Sequence, residues 1–591
     1  MDAAHTAQRG GSWLLDSEPR TIFTPEILSD EHRLIAQTTD EFVNAEVLPN
    51  LEKLEAHDWS VSRALLRRCG ELGLLGTNVP EQYGGLDLDK VSSLIVSERM
   101  ARSASFATTY GAQANLCILT IVLFGTETQK QTYLPKLVAG ELVGAYALSE
   151  SGSGSDALSA RTRATRGPDG TWTLNGEKMW TSNGGFADLI IVFAKVDGEH
   201  FTAFIVERSF PGVSAGKEEE KMGLHGSSTT PILLQDAKVP SDNLLGEIGK
   251  GHKVALNTLN YGRFKLGGMC VGGCRSVIGE AARYAGQRQQ FGHAIADFGA
   301  IKHKLGEMTA RTYAMESLTY RTAGLIEDML TGGAHDGAAV ARAFEEYAVE
   351  ASIVKVGGTE ALDYALDENI QIHGANGFVK DYPAERYYRD ARVNRIFEGT
   401  SEINRMLIPG MLIRRALKGE LALIPAARRL QDDVLSPSAS VGRSGGDGAL
   451  DESLRISAAF KNVALMVLGT AMQTYGQTLN DEQEVLSYAA DIIIDTYAAE
   501  SAVLRARAAA ASGHAHADLH EAAARVFVND AAQRVDGAAR SALAAMADGD
   551  TLRVLLAALR RILKVVPVNT VSLRRRLAEV SVARGRYILD S

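Results

Sequence analysis

Glu398 is the residue of this sequence whose surroundings suit acid–base chemistry. It stands in the run Arg392-Val393-Asn394-Arg395-Ile396-Phe397-Glu398-Gly399-Thr400-Ser401-Glu402-Ile403. Apolar Ile396 and Phe397 and the permissive Gly399 would strip water from the carboxylate and raise its pKa toward the range of a general base. The same glutamate read as an ordinary helix cap would face solvent. The run Ala147-Leu148-Ser149-Glu150-Ser151-Gly152-Ser153-Gly154-Ser155-Asp156 offers hydroxyls and backbone N–H groups to an anion such as a pyrophosphate, or forms only a solvated turn. Lys178-Met179-Trp180-Thr181-Ser182-Asn183-Gly184-Gly185 sets an indole beside two hydroxyls, a group that can cover a planar ring and donate to its heteroatoms, although a strand Trp can equally be core. Arg288-Gln289-Gln290-Phe291-Gly292 and Gln371-Ile372-His373-Gly374-Ala375-Asn376-Gly377-Phe378 are further candidates, each also readable as a loop without a ligand.

The hydropathy pattern says what must position these residues. From Pro25 to Gly140, apolar residues recur at three- and four-residue spacings, which predicts helices. The runs TWTLNGEKMW, LIIVFAKV, FTAFIVE and PILLQDAKV, with turn signals at Pro168-Asp169-Gly170 and Asn175-Gly176, predict strands. Helical periodicity returns from Lys253 to Leu417. A Ser/Gly/Pro-rich stretch from Val434 to Asp451 reads as a linker, and Ala-rich helical text follows it. The expected domains are residues 1–145 (helical), 146–246 (β), 247–433 (helical, catalytic), 434–451 (linker) and 452–591 (helical). The expected fold class is mainly α with a central β domain.

Composition sets the bounds. The chain has 591 residues, 45% hydrophobic and 23% charged, enough for several packed units and typical of globular proteins. Its net charge of −10 argues against binding nucleic acid over its whole surface. The four cysteines have apolar neighbours and read as buried, reduced thiols, with Cys270 and Cys274 as a packed helix face. No apolar run of about 20 residues stands out, and the first residues lack a signal-peptide pattern. The expectation is a cytoplasmic protein, soluble or peripherally bound to membranes. His514, His516 and His520 lack a ligand framework and are expected to be exposed, so no metal is assigned. Nine basic residues between Arg553 and Tyr587, against Glu579 alone, suggest contact with an anionic membrane, or else a solvated helix face.

Taken together and in order, the five motifs on their helix–strand–helix frame resemble the acyl-CoA dehydrogenase family. The linker and the C-terminal helices resemble its very-long-chain branch, in which a C-terminal helical bundle is appended to the acyl-CoA dehydrogenase fold. The resemblance implies FAD-dependent α,β-dehydrogenation of long-chain acyl-CoA to trans-2-enoyl-CoA in fatty-acid β-oxidation, with an electron-transferring flavoprotein as acceptor. It implies Glu398 as catalytic base. For FAD it implies Ala147, Leu148, Ser149, Gly154, Ser155, Trp180, Thr181 and Ser182, with Thr400 and Glu402 after the base. Arg288, Phe291, Gln371 and Gly374 match positions that reach FAD bound mainly by a neighbouring subunit, which implies a homodimer; Ala375 stands where the family usually has a second glycine.

For the substrate, the resemblance implies Ser155 near CoA, Asn260 and Arg263 at its pantetheine and phosphate end, and Phe397 and Gly399 beside the base. Some relatives carry the base at the position of Gly262, which here has no side chain to do the work. An ungapped count back from Phe124-Gly125-Thr126 places Ala107 and Gly111 where medium-chain relatives carry bulky polar residues, so a deeper tunnel and long acyl chains are expected. An oxidase of the same fold, an acyl-carrier-protein-linked flavoenzyme and a non-catalytic flavin-fold binding protein are the alternatives.

Overall fold

The computed structural model describes residues 8–16, 20–330, 337–435 and 448–590. The N-terminal helices begin at Asp30–Phe42. There the Ser29 hydroxyl accepts from the His32 N–H and the His32 ring accepts from the Ser29 N–H, closing the first turn. The helices Lys90–Met100, Ala104–Gly111 and Glu127–Val138 follow, with a wide π turn at Ala112–Ile118.

The sheet comprises β1 (Gly144–Ala147), β2 (Arg163–Arg166), β3 (Trp172–Ser182), β4 (Leu189–Val196), β5 (His200–Glu207), β6 (Val213–Ala215), β7 (Thr229–Val239) and β8 (Leu244–Leu245). Its order is β6-β7-β3-β2-β4-β5-β8, and β1 pairs in parallel with β4. Every residue of β4 except Lys195 is buried, as expected of a strand covered on both faces.

Two long helices cross the catalytic half, Gly251–Gln287 and Gly299–Leu330; Ala348–His373 packs with them, and Ser401–Leu417 follows the base. Beyond lie Leu423–Leu435, Ala449–Tyr475, Gln483–Ala511, Ala517–Met546, Gly549–Ile562 and Thr570–Arg584. The predicted linker is helical at both described ends, since one helix runs to Leu435 and the next starts at Ala449; its residues 436–447 lie outside the described residues.

The C-terminal helices share one continuous buried core with the catalytic helices. Trp13 joins that core from the other end of the chain. Its ring lies 4.6 Å from that of Tyr497, and its indole N–H donates to Glu350 at 3.1 Å, as does the Gly11 N–H at 2.6 Å. The periodicity that begins at Pro25 gave no hint of this contact.

Three sequence expectations need correction. Ala104–Phe124 and Ala449–Asp481 are long and apolar enough to cross a membrane by length and composition, yet 78% and 61% of their apolar windows are buried inside the fold, so core packing accounts for them. His520 is fully buried and its ring shares a 3.0 Å hydrogen bond with the Tyr313 hydroxyl, so it is a core residue and not a surface one. The basic stretch is neutralised in part: Arg574 is buried against Glu307 and Asp530, while Arg576 pairs with Asp518 and Arg553 with Asp550 at the surface. All four cysteines are free and buried.

Candidate active site

Glu398 sits in the short connection between the Arg392–Arg395 turn and the Ser401–Leu417 helix. Its φ of 55° and the 78° of Gly399 place two consecutive residues in the left-handed region. Only Gly adopts that conformation freely, so the Glu398 backbone is held there by its surroundings. Arg263 donates from Nε to the Glu398 carbonyl at 3.0 Å, and Asn404 donates to the Gly399 and Thr400 carbonyls at 2.9 and 3.0 Å. The Thr400 hydroxyl caps the following helix by accepting from the Ile403 N–H at 3.2 Å.

The reversed backbone lays the Glu398 carboxyl against the Gly251–Gln287 helix at Gly262. A β-carbon there would stand 2.6 Å from Oε2 and 3.0 Å from Oε1, so the missing side chain is the space the Glu398 carboxyl occupies. Oε2 is buried without a hydrogen-bond partner. Burial pushes the carboxyl up to about 7, with Arg263 and Lys355 drawing it partly back. The Tyr146 hydroxyl on β1 is also buried and unpartnered, and its charge state is coupled to that of Glu398.

The expected roles of Asn260 and Arg263 change here. Arg263 is 3% exposed and bonds the Asn260 side chain at 2.9 Å, while Asn260 donates to the Phe344 carbonyl. A guanidinium so enclosed and so engaged holds the base loop and offers little to a CoA phosphate.

Across the cleft, Trp180 is displayed by a break in register. The pairing of β3 with β7 shifts between Lys178 and Thr181, and Trp180 takes a φ of 59°. Such a bulge re-aims a side chain, and the indole is left 58% exposed. Thr181 keeps a buried hydroxyl without a partner, and Ser182 is half-buried beside it. Asn183 fixes the turn beyond by donating to the carbonyls of Thr109 and Gly144.

The Ser-rich loop is organised by a residue not singled out from sequence. Glu150 lies buried and accepts from the N–H groups of Arg161 and Thr162, from the Thr162 hydroxyl at 2.6 Å and from the Lys178 ammonium at 2.7 Å. An acidic residue inside a predicted anion-binding loop was the available signal. Ala147 is buried, Leu148 and Ser149 are half-buried, and Gly154 and Ser155 are exposed, with open space where a Gly154 side chain would be.

Arg288, Phe291, Gln371 and Gly374 form a separate group. Tyr284 ties their two segments together, donating to the His373 carbonyl at 3.1 Å and accepting from Asn376 at 3.0 Å. Phe291 is 89% exposed. Arg288 lies about 40 Å along the helix axis from Gly262, at 1.5 Å per residue, so the group stands apart from the base of its own chain. Glu402 is exposed on the first turn after the base, and Phe397 is half-buried beside it.

A cavity of about 430 Å³ has Asn394, one turn before the base, on its wall. Leu224, Met269 and Leu362 supply apolar lining, and Glu98, Arg99 and Arg102 supply charge. Ala104 and Thr108 line it, whereas Ala107 turns into the core and Gly111 lies off the wall. One residue turns a helix by about 100°, so Ala107 looks out from a different face of this helix than Ala104 and Thr108.

A desolvated carboxylate in the helical half and, at the end of β3, an open indole flanked by hydroxyls are the features that the comparisons with known proteins place in a class of flavin-dependent dehydrogenases. Residues 29–141, 145–237 and 249–412 match the N-terminal, middle and C-terminal domains of acyl-CoA dehydrogenase, and 459–561 match a further acyl-CoA dehydrogenase C-terminal domain. A probable acyl-CoA dehydrogenase of Bacillus subtilis (strain 168) is 47% identical over 97% of this chain and 98% of its own length. The mitochondrial very long-chain specific acyl-CoA dehydrogenase of Homo sapiens is 38% identical over 66% of this chain and 58% of its own. The crystal structure of an acyl-CoA dehydrogenase complexed with FAD from Bacillus anthracis superposes with a TM-score of 0.95 at 48% identity, covering 98% of this chain and 100% of that one. The chain belongs to the acyl-CoA dehydrogenase family and is an FAD-dependent enzyme. The exposed Trp180, the unpartnered Thr181 hydroxyl and the open ground above Gly154 fit that cofactor.

Proposed function

We propose that this enzyme removes hydrogen from C2 and C3 of long-chain acyl-CoA thioesters, giving trans-2-enoyl-CoA, with Glu398 as the base. The observation that carries the reading is the Glu398 carboxyl seated in the gap left by Gly262, with Oε2 buried and unbonded; this burial pushes the group up to about 7. Bound FAD supplies the hydride acceptor for the C3 hydrogen. Glu398 takes the C2 proton, and the electron pair left behind forms the double bond as hydride departs. The Glu398 backbone N–H polarises the thioester carbonyl, and preorganised donors of this kind contribute roughly 3 kcal/mol each. Arg263 and Asn404 keep that backbone in place. Trp180, Thr181 and Ser182, with Thr400 and Glu402, hold the flavin ring; Ser149 to Ser155 hold its phosphate side, with Ser155 also near CoA.

Arg288, Phe291, Gln371 and Gly374 serve the partner's cofactor in a homodimer, a reading supported by their distance from Glu398 and by the exposed Phe291. An electron-transferring flavoprotein reoxidises the enzyme, which acts in the cytoplasm in fatty-acid β-oxidation. Of the basic stretch, Arg560, Lys564 and Arg575 are exposed and stand in no described ion pair; they are the residues left for membrane contact. Equal sedimentation with and without anionic vesicles would remove that part of the proposal.

The test is anaerobic bleaching of the yellow protein by acyl-CoAs of graded length. Palmitoyl-CoA bleaches and butanoyl-CoA does so far more slowly; equal rates overturn the chain-length assignment, and no bleaching by any member overturns the reaction. The charges on the cavity wall favour a second reading, acyl chains that end in a polar group, which ω-carboxyacyl-CoAs in the same panel test directly.

A further inference from the structure

Lys355 is the unexplained charge beneath this site. It lies in the middle of Ala348–His373 and is fully buried. Its ammonium donates to the Ser401 hydroxyl at 3.3 Å, and it enters none of the described ion pairs. Ser401 is itself 3% exposed and begins the helix that follows the base. Burying an ammonium with a single neutral partner is costly, and the chain bears that cost directly under the catalytic loop.

Its surroundings narrow the role. The Gly251–Gln287 helix presents Arg263 and Cys270 to it, its own helix presents Glu360, and the base loop presents Glu398. Glu402, at the start of the next helix, lies within its field. Arg263 repels Lys355, and Cys270 is a thiol whose ionisation burial suppresses. Glu360 is already engaged by Arg405 at 2.7 and 2.9 Å. Glu402 is exposed, and Glu398 is the carboxylate left with a buried oxygen that has no hydrogen-bond partner. Arg263 and Lys355 both act on the Glu398 carboxyl by charge; Arg263 also bonds the Glu398 backbone, whereas the Lys355 ammonium reaches the base loop through Ser401.

We propose that Lys355 is a positioning residue for the reaction: through Ser401 its ammonium fixes the start of the helix behind the base, and its charge favours the ionised form of Glu398. Burial holds the Lys355 ammonium itself down to about 8, so this support weakens in alkali. The inference rests on Glu398 as the base, and the two fail in different ways. If Glu398→Gln still bleaches with acyl-CoA, the base is misassigned.

The test compares Lys355→Met, Lys355→Gln and Lys355→Arg, each loaded with FAD, by single-turnover bleaching across pH 5.5–9. Removing the charge moves the acid limb up by about one pH unit in Met and Gln, a loss of about fivefold in rate at pH 7, while Arg restores the limb. Limbs that coincide with wild type in variants that retain flavin overturn the proposal. A second measurement needs no turnover. Melting at pH 8 is compared for Lys355→Met in the wild-type and Glu398→Gln backgrounds. A charge acting on the base makes Lys355→Met more destabilising where Glu398 is present than where it is Gln; equal losses in both backgrounds overturn it.

Discussion

The Glu398 carboxyl makes catalysis and stability pull against each other, and Glu398→Gln separates them. Burial moves this group from an ordinary 4.5 to about 7, which disfavours its ionised form in the folded protein by at most about 3 kcal/mol. Residual solvent at the half-buried side chain reduces that figure. Between those two pH values the folded chain holds a proton that the unfolded chain has released. The stabilising contribution is therefore complete below pH 4.5 and is lost as pH rises through about 7. Glutamine has the same shape and does not titrate. The variant binds FAD, loses bleaching by a factor of about a thousand, and gains stability relative to wild type as pH increases. Apparent melting temperatures measured from pH 5 to 8.5 start close together and diverge, the variant being higher at the alkaline end. A difference that does not change with pH, or a variant less stable at pH 8.5, would refute the reasoning, because either means that Glu398 is not desolvated in the folded state.

Three other outcomes are expected. Gly262→Ala forces the Glu398 carboxyl off its seat, since the new methyl would stand 2.6 Å from Oε2; flavin content is unchanged and single-turnover bleaching falls on the order of a hundredfold. Trp13→Ala opens a cavity beside Tyr497 and removes a donor from Glu350, a loss of about 3–5 kcal/mol seen as a lowered melting transition with normal kinetics at low temperature. The thiols of Cys69, Cys117, Cys270 and Cys274 are buried and pushed upward, Cys117 to about 12, so a disulfide reagent reacts slowly with native protein and promptly with all four after denaturation.

Local chemistry was readable in the sequence where it depended on neighbours along the chain. The short β-rich runs announced the sheet, and the run around Glu398 announced a desolvated carboxylate, although Ile396 is itself exposed and the carboxyl is seated against Gly262 of a distant helix. What depends on partners far along the chain was not readable. The reversed φ of Glu398 is imposed by Arg263 and Asn404, which no local pattern links to it. Lys355 drew no reading from the sequence, because its partner, Ser401, arrives from another element. The basic stretch overstated its free charge because Glu307, Asp530 and Asp518 come from two other helices to neutralise it.

The strap from Gly10 to Leu14 orders events in time. During synthesis Trp13 leaves the ribosome hundreds of residues ahead of Tyr497, the ring it finally packs on, so this corner of the core waits for the C-terminal helices. The Glu350 carboxylate that accepts from Gly11 and Trp13 lies on the same helix as Lys355. One indole thus joins the helix that carries Lys355 to a C-terminal helix, and its burial is complete only after residue 497 has been made.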